Sequence, residues 1–198
     1  QRLEAASGAV RGLVYLHATL NKVHRDIKPS NILVDLGAHT AVLCDFGLVR
    51  GAQTESGKTD RTARPVGTAA FMSHEALKGK ITPKMDIYAM GVTLLELATG
   101  KAAEGSATAA SSSENLVIEM EEAMEELEGG NPSEALAFLD RRLRAPTPPQ
   151  KDVEGLLSLA ASCLNYKYNQ RPDAEELLQL LERLLSAADA AESSVLSH

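Results

Sequence analysis

Apolar residues recur at helical spacing through most of this chain. From Glu4 to His17, Ala5, Ala9, Leu13 and Leu16 fall on one face with Val10 and Val14 alongside, which predicts an amphipathic helix. Gly8 and Gly12, four apart on it, predict a surface that another helix or a loop approaches closely, at some cost in helix propensity. The helix is expected to end by Asn21 and hand over to a short strand-like Val23. Asn31 to Val34 and Thr40 to Leu43 read as two short strands, with residues 36–39 turning between them.

Periodicity then lapses from Asp45 to Met72, and residues 51–64, rich in Gly, Thr, Ser and charge, read as a mobile loop. Order resumes over Met72 to Lys78. Asp86 to Thr99 is a helix too apolar for the surface, expected to be central and to stop at Gly100. Residues 101–113 are low in complexity and read as a flexible insert. Asn115 to Glu128 predicts an acidic amphipathic helix: Leu116, Met120, Ala123, Met124 and Leu127 form a stripe, and five glutamates between Glu119 and Glu126 occupy the rest. Its bland reading, a solvated face, outweighs a docking site for basic partners. Ala145 to Pro149 is a connector. Val153 to Leu164 and Asp173 to Ser186 predict two last helices, the second opened by Pro172-Asp173.

Composition narrows the class. A chain of 198 residues, 44% hydrophobic and 24% charged, is long enough for one domain, placed at 1–188 with a disordered tail at 189–198. A net charge of -7 with 4% aromatics and no basic stripe argues against nucleic acid as the partner. No apolar run reaches the length of a membrane span and no signal peptide opens the chain. Cys44 and Cys163 lack metal-ligand spacing and read as reduced core residues of a cytoplasmic protein.

The chemistry is concentrated between His24 and Asn31, where His-Arg-Asp-x-Lys-x-x-Asn appears at fixed spacing. At roughly one in twenty per position, five fixed residues recur by chance about once in three million starts. Asp45-Phe46-Gly47, Gly67-Thr68, Glu75, Asp86 and Arg171 follow in order. Phosphoryl transfer needs a positioned hydroxyl, metal over the phosphates, and cations for the charge that shifts in the transition state. Asp26 can accept the hydroxyl proton and Lys28 can reach the transferred phosphate. The Asn31 carbonyl and the Asp45 carboxylate offer oxygen to magnesium. Gly47 lets the backbone turn so that Asp45 faces the site.

In these motifs the chain resembles the C-terminal lobe of a eukaryotic protein kinase, from near Arg2 to about Leu185. The resemblance implies a mainly α fold: a helical bundle with a small β-hairpin carrying the catalytic and magnesium loops. It implies ATP and Mg2+ as cofactors and protein Ser/Thr hydroxyls as substrates. It makes Asp26 the catalytic base and Lys28 the phosphate contact, with Asn31 and Asp45 as magnesium ligands. Ser30 and Leu33 join the nucleotide site, Leu33 beneath the adenine, and His24 stacks with Phe46. Lys28 with Gly67-Thr68 is the serine/threonine form. Arg25 marks activation by loop phosphorylation, by an upstream kinase or in trans, with Thr62 and Thr59 as acceptors and Ser56 behind them. Glu75 and Arg171 form a buried ion pair, and Asp86 accepts hydrogen bonds from the catalytic-loop backbone.

Residues 66–72, 75–79 and 81–88 are most similar to the interleukin receptor-associated kinase/Pelle family, which works in the cytoplasm in receptor and adaptor complexes; plant receptor-like kinases share much of the pattern. Three features depart from it. Ser73-His74-Glu75 replaces Ala-Pro-Glu, Thr93 stands where an apolar spine residue is usual and predicts looser packing, and the insert after Gly100 matches nothing. Only 23 residues precede His24, without a Gly-rich loop or a Val-Ala-x-Lys strand, so the chain is expected to be a lower lobe, inactive alone. The alternative is a non-catalytic binding or regulatory module, or a pseudokinase scaffold.

Overall fold

A computed structural model describes residues 2–38, 40–52, 65–103, 112–128, 137–143 and 150–195. The centre is helix α3 (Pro83–Thr99), expected from Asp86; it starts three residues earlier because Pro83 occupies the first turn, where its missing amide costs nothing. Ile87, Met90, Val92, Leu94 and Leu95 are all buried, so the helix has no solvent face along this stretch. It ends where the Gly100 amide donates to the Glu96 carbonyl at 2.8 Å. Thr93 is fully buried, and its hydroxyl donates to the Ala89 carbonyl at 2.9 Å, which satisfies the polar group within the helix.

Helix α1 (Arg2–Val14) runs into a single π-helical turn, Tyr15–Thr19, and the chain reverses at Asn21, φ 49°. Its deepest residues are Ala6, Ala9, Val10 and Leu13; Ala6 rather than Ala5 is buried, because two sides of the helix are covered. One side meets a hairpin of β2 (Ile32–Asp35) and β3 (Thr40–Leu43), antiparallel with Ile32 opposite Leu43 and Asp35 opposite Thr40. At Gly8 a Cβ would lie 2.5 Å from the Ala41 carbonyl oxygen, so the close neighbour is a strand and not the helix or loop expected. The hairpin turn is held by Asp35, whose Oδ1 accepts from the Gly37 and Ala38 amides at 2.9 and 3.0 Å. A second antiparallel ladder pairs β1 (Lys22–Val23) with β4 (Arg50–Gly51). The polar sequence gave no alternation from which to expect β4.

Helix α2 (His74–Leu77) leads to α3, and α4 (Ser112–Glu128) buries Leu116, Met120 and Ala123 while Ile118 and most of its glutamates stay exposed. Helix α5 (Gln150–Leu164) buries Val153, Leu157, Ala160 and Cys163 against α3. Helix α6 (Ala174–Val195) packs along α1 through Ala174, Leu177 and Leu181. Its start is a reciprocal cap: Asp173 Oδ1 accepts from the Glu176 amide, and Glu176 Oε2 from the Asp173 amide, each at 2.8 Å. It continues past Ser186 to Val195, so the backbone of most of the expected tail is helical. Most of the low-complexity insert and all of the Ala145–Pro149 connector lie outside the described residues. No helix among the described residues is long and apolar enough to cross a membrane.

Candidate active site

The site is assembled from α3 upward. Asp86 is 1% exposed, and a carboxylate that deep must be met by donors. Its Oδ2 accepts from the His24 amide at 2.7 Å and from His17 Nε2 at 2.8 Å, and its Oδ1 accepts from the Arg25 amide at 2.8 Å. Arg25 has φ 76°, a left-handed conformation costing a non-glycine residue on the order of 1–3 kcal/mol. Asp86 therefore clamps the catalytic loop at its most strained residue. Gly67 fits against the same bend: its φ is 128°, and a Cβ there would lie 2.5 Å from the Arg25 carbonyl oxygen.

Beyond the bend, Asp26 is 9% exposed and saturated with donors. Oδ1 accepts from the Thr68 amide at 3.0 Å and the Thr68 hydroxyl at 2.7 Å. Oδ2 accepts from Asn31 Nδ2 at 2.9 Å and lies 3.2 Å from Lys28 Nζ, which also donates to Thr68 Oγ1 at 2.7 Å. Burial pushes the Asp26 carboxyl up, but the bonds from Thr68, Lys28 and Asn31 outweigh it and hold the group below the ordinary carboxylate range. It is an anion at neutral pH.

The hairpin register brings the third loop in. Asn31 precedes Ile32 and Cys44 follows Leu43, so the two fall opposite each other; the Cys44 amide donates to the Asn31 carbonyl at 3.0 Å. The Cys44 carbonyl is bonded to His24 Nε2 at 3.1 Å, while His24 Nδ1 accepts from the Asp26 amide at 3.4 Å, which puts the ring proton on Nε2. Asp45 is thus one residue from a backbone tied to the catalytic loop at both its amide and its carbonyl. It adopts φ 59° and accepts from the Gly47 amide at 3.3 Å. Phe46 meets His24 with ring centroids 5.3 Å apart.

The donor set suits a hard cation. Asn31 spends its Nδ2 on Asp26, on the backbone carbonyl at 2.8 Å and on Oδ2, leaving the amide oxygen as its remaining acceptor. Asp45 is exposed and adds carboxylate oxygen. Among the described residues no three His, Cys, Asp or Glu side chains are placed to hold a metal ion, so these oxygens form no protein cage. Magnesium is ordinarily held through one or two carboxylates together with substrate phosphates, and the residues present fit that pattern.

Around this centre, Arg25 is 7% exposed; Nη1 reaches only the Leu48 carbonyl, at 3.4 Å, and Nε has no partner among the described residues. Burial and then the neighbouring Arg50 charge lower its pKa, partly countered by Asp86. Below the site, Arg171 grips Glu75 with both terminal nitrogens, at 2.5 and 3.1 Å, both residues being buried. Burial raises the Glu75 carboxyl, yet the Arg171 bonds bring it below its ordinary value.

Of the residues singled out in the sequence, Arg25, Asp26, Lys28 and Asn31 are brought together, with Asp45 next to them in chain and register. Leu33 lies on the exposed face of the hairpin, 57% accessible. Ser30 sits exposed on the Pro29–Asn31 turn, with no hydrogen bond among the described residues joining it to the rest. Thr59, Thr62 and Ser56 lie outside the described residues. Two contributors were missed: Thr68, whose hydroxyl bridges Lys28 and Asp26, and His17, which braces Asp86. Gly67-Thr68 was visible as a pair, but no local spacing links positions 26 and 68.

The protein kinase domain family model matches residues 3–181. Similar proteins include LysM domain receptor-like kinase 10 from Oryza sativa subsp. japonica, 36% identical over 95% of this chain and 31% of that protein. Two from Arabidopsis thaliana are probable serine/threonine-protein kinase PBL6, 34% identical over 94% and 42%, and serine/threonine-protein kinase PBL36, 33% over 98% and 39%. The chain spans 31–42% of the length of these curated relatives. With the family's match running through the clamp, the hairpin and the Glu75–Arg171 pair, the chain belongs to the protein kinase family.

Proposed function

We propose that this chain is the catalytic lower lobe of a serine/threonine protein kinase, moving the γ-phosphoryl group of ATP to Ser or Thr hydroxyls of a protein substrate. The observation that carries this reading is the Asp26 carboxylate, held ionised by Thr68, Lys28 and Asn31 beside the Asp45 loop. Asp26 orients the attacking hydroxyl and takes its proton at a carboxylate oxygen. Lys28, already within 3.2 Å of Asp26, offers its charge to the phosphoryl group in transfer. Asn31 and Asp45 are the residues that would hold Mg2+, whose chemistry, when bound with ATP, would be to neutralise charge on the phosphates. Ser30 and Leu33 line the nucleotide side.

Exposed Leu33 and Val42, paired across the hairpin, and exposed Phe46 in the turn after it support a further part of the reading: this part of the surface takes the adenine and an upper lobe, without which turnover is not expected. The buried, under-partnered Arg25 beside Arg50 supports activation by a phosphate on Thr62 or Thr59, placed by an upstream kinase or in trans. The likeness to two serine/threonine-protein kinases supports the serine/threonine form, and the likeness to a receptor-like kinase supports receptor-linked action. Cytoplasmic signalling of the interleukin receptor-associated kinase/Pelle type is the branch we infer. The test is phosphoamino-acid analysis of a mixed Ser/Thr/Tyr peptide pool after incubation with radiolabelled ATP and Mg2+, using the chain joined to its upper lobe. Phosphoserine and phosphothreonine are expected; phosphotyrosine alone, or no label, refutes the proposal.

A further inference from the structure

We infer that the groove between α4 and α5 is a docking site for a basic segment of a partner protein carrying one apolar anchor residue. The groove encloses about 480 Å³, within the range of about 300–1,000 Å³ typical of ligand pockets. Val117 and Met120 of α4 face Ala161 and Leu164 of α5 across it, which makes its walls apolar. Tyr166 stands at it 72% exposed, against His74 with ring centroids 5.1 Å apart. An exposed tyrosine beside an apolar pocket is the composition that recurs at the energetic centre of protein interfaces. His74 is also the residue that departs from the family's proline.

Charge selects the occupant. Glu121 lines the groove, and Ile118, Glu121, Glu122 and Glu125 share the solvent face of α4 at positions i, i+3, i+4 and i+7. Among the described residues, none of these three glutamates has a cation partner, whereas Glu119 is bonded to Lys101. Arg171, the cation that reaches the groove wall, is already paired with Glu75. Glu121 at the groove, with Glu122 and Glu125 following it on the exposed side of α4, therefore makes a run of like charges that a cationic ligand relieves and an anionic one does not. Spacing fits as well. Glu121 and Glu125 are separated by about 6 Å along the helix, and alternate side chains of an extended segment repeat at about 6–7 Å. A segment with an anchor such as leucine in the groove and alternating Lys or Arg along α4 satisfies both features.

The test uses the full chain and a fluorescein-labelled peptide, acetyl-Leu-Ala-Lys-Ala-Arg-Ala-Lys-amide, read by anisotropy. It needs no nucleotide or turnover, so its outcome is separate from that of the kinase reading. Saturable binding is expected, weakened about tenfold or more in Glu121→Gln/Glu122→Gln/Glu125→Gln, where the negative charge at the groove and along the exposed side of α4 is gone. Replacing the peptide's leucine by serine weakens binding to the unaltered chain to a similar degree, a comparison that stands even if the triple variant fails to fold. Hydrogen exchange slows in α4 and around residues 164–168 on binding. No saturable binding at millimolar peptide overturns the inference, as does affinity indifferent to the glutamates or to the leucine. A dimer of the chain that the triple variant dissolves and the peptide cannot compete with also overturns it, in favour of self-association.

Discussion

Replacing Asp86 by asparagine keeps the side chain's shape and removes one acceptor from a position that serves three donors. In the native protein Oδ1 takes the Arg25 amide, and Oδ2 takes the His24 amide and His17 Nε2. An asparagine must place its NH2 at one of these oxygens, where it faces a backbone N–H that cannot turn away. One buried amide is left without an acceptor, at about 1–3 kcal/mol, and the remaining bonds lose their charge assistance, about 1 kcal/mol more. The sum is about 2–4 kcal/mol against a domain stability of about 5–15 kcal/mol, so the variant is expected to fold and to be measurably weaker. Urea denaturation followed by circular dichroism should show a lower midpoint with unchanged slope. Amide exchange at residues 24 and 25 should accelerate beyond the global change, because the strained φ of Arg25 loses its hold. A loss under about 0.5 kcal/mol, or unaltered protection at those two amides, would refute the clamp.

Arg171→Met strands the buried Glu75 carboxylate and should cost about 3–5 kcal/mol in the same denaturation assay, with much of it recovered by adding Glu75→Gln. Glu75 titrates below its ordinary value in the fold, so its contribution is present above the unfolded value of about 4.3 and is lost as pH falls through the folded one; acid titrations of stability should show a shallower loss in the double variant. Thr68→Val removes a hydroxyl donor from Asp26, so the carboxyl should move up toward its ordinary value, read by carbon NMR of labelled aspartate. Gly8→Ala pushes a methyl into the Ala41 carbonyl and should lower stability by about 1–3 kcal/mol, visible as a lower Tm. Burial pushes the Cys163 thiol up to about 12, so iodoacetamide at pH 8 should label half-buried Cys44 first and reach Cys163 only on unfolding.

What could be read from the sequence was what adjacent residues decide. The run from Ile87 to Leu95 has no polar face, so its central place followed from composition alone. The reach of Asp26 to Asn31 lies within one loop, and the His24–Asn31 spacing contains it. Contacts that cross the chain were hidden unless a family pattern named both ends, as it did for Glu75 with Arg171 and for Asp86 with the catalytic loop. Thr68 and Asp26 are 42 residues apart and His17 and Asp86 are 69 apart; neither side chain carries a local mark of its partner. The glycine at position 8 announced a close neighbour without saying which, and only the hairpin register supplies Ala41. The last turns of α6, rich in alanine, lack an apolar stripe, which is why periodicity stopped short of Val195.

The role proposed for Asp26 is to receive the substrate hydroxyl's proton. Its most direct test is the kcat for peptide phosphorylation, at saturating ATP and Mg2+, of the chain joined to its upper lobe, compared with Asp26→Asn in the same protein. A fall of about 10²–10⁴-fold is expected, with little change in the KM for ATP, since the residues proposed for the metal, Asn31 and Asp45, are unaltered. An Asp26→Asn enzyme that turns over at the unaltered rate would contradict it.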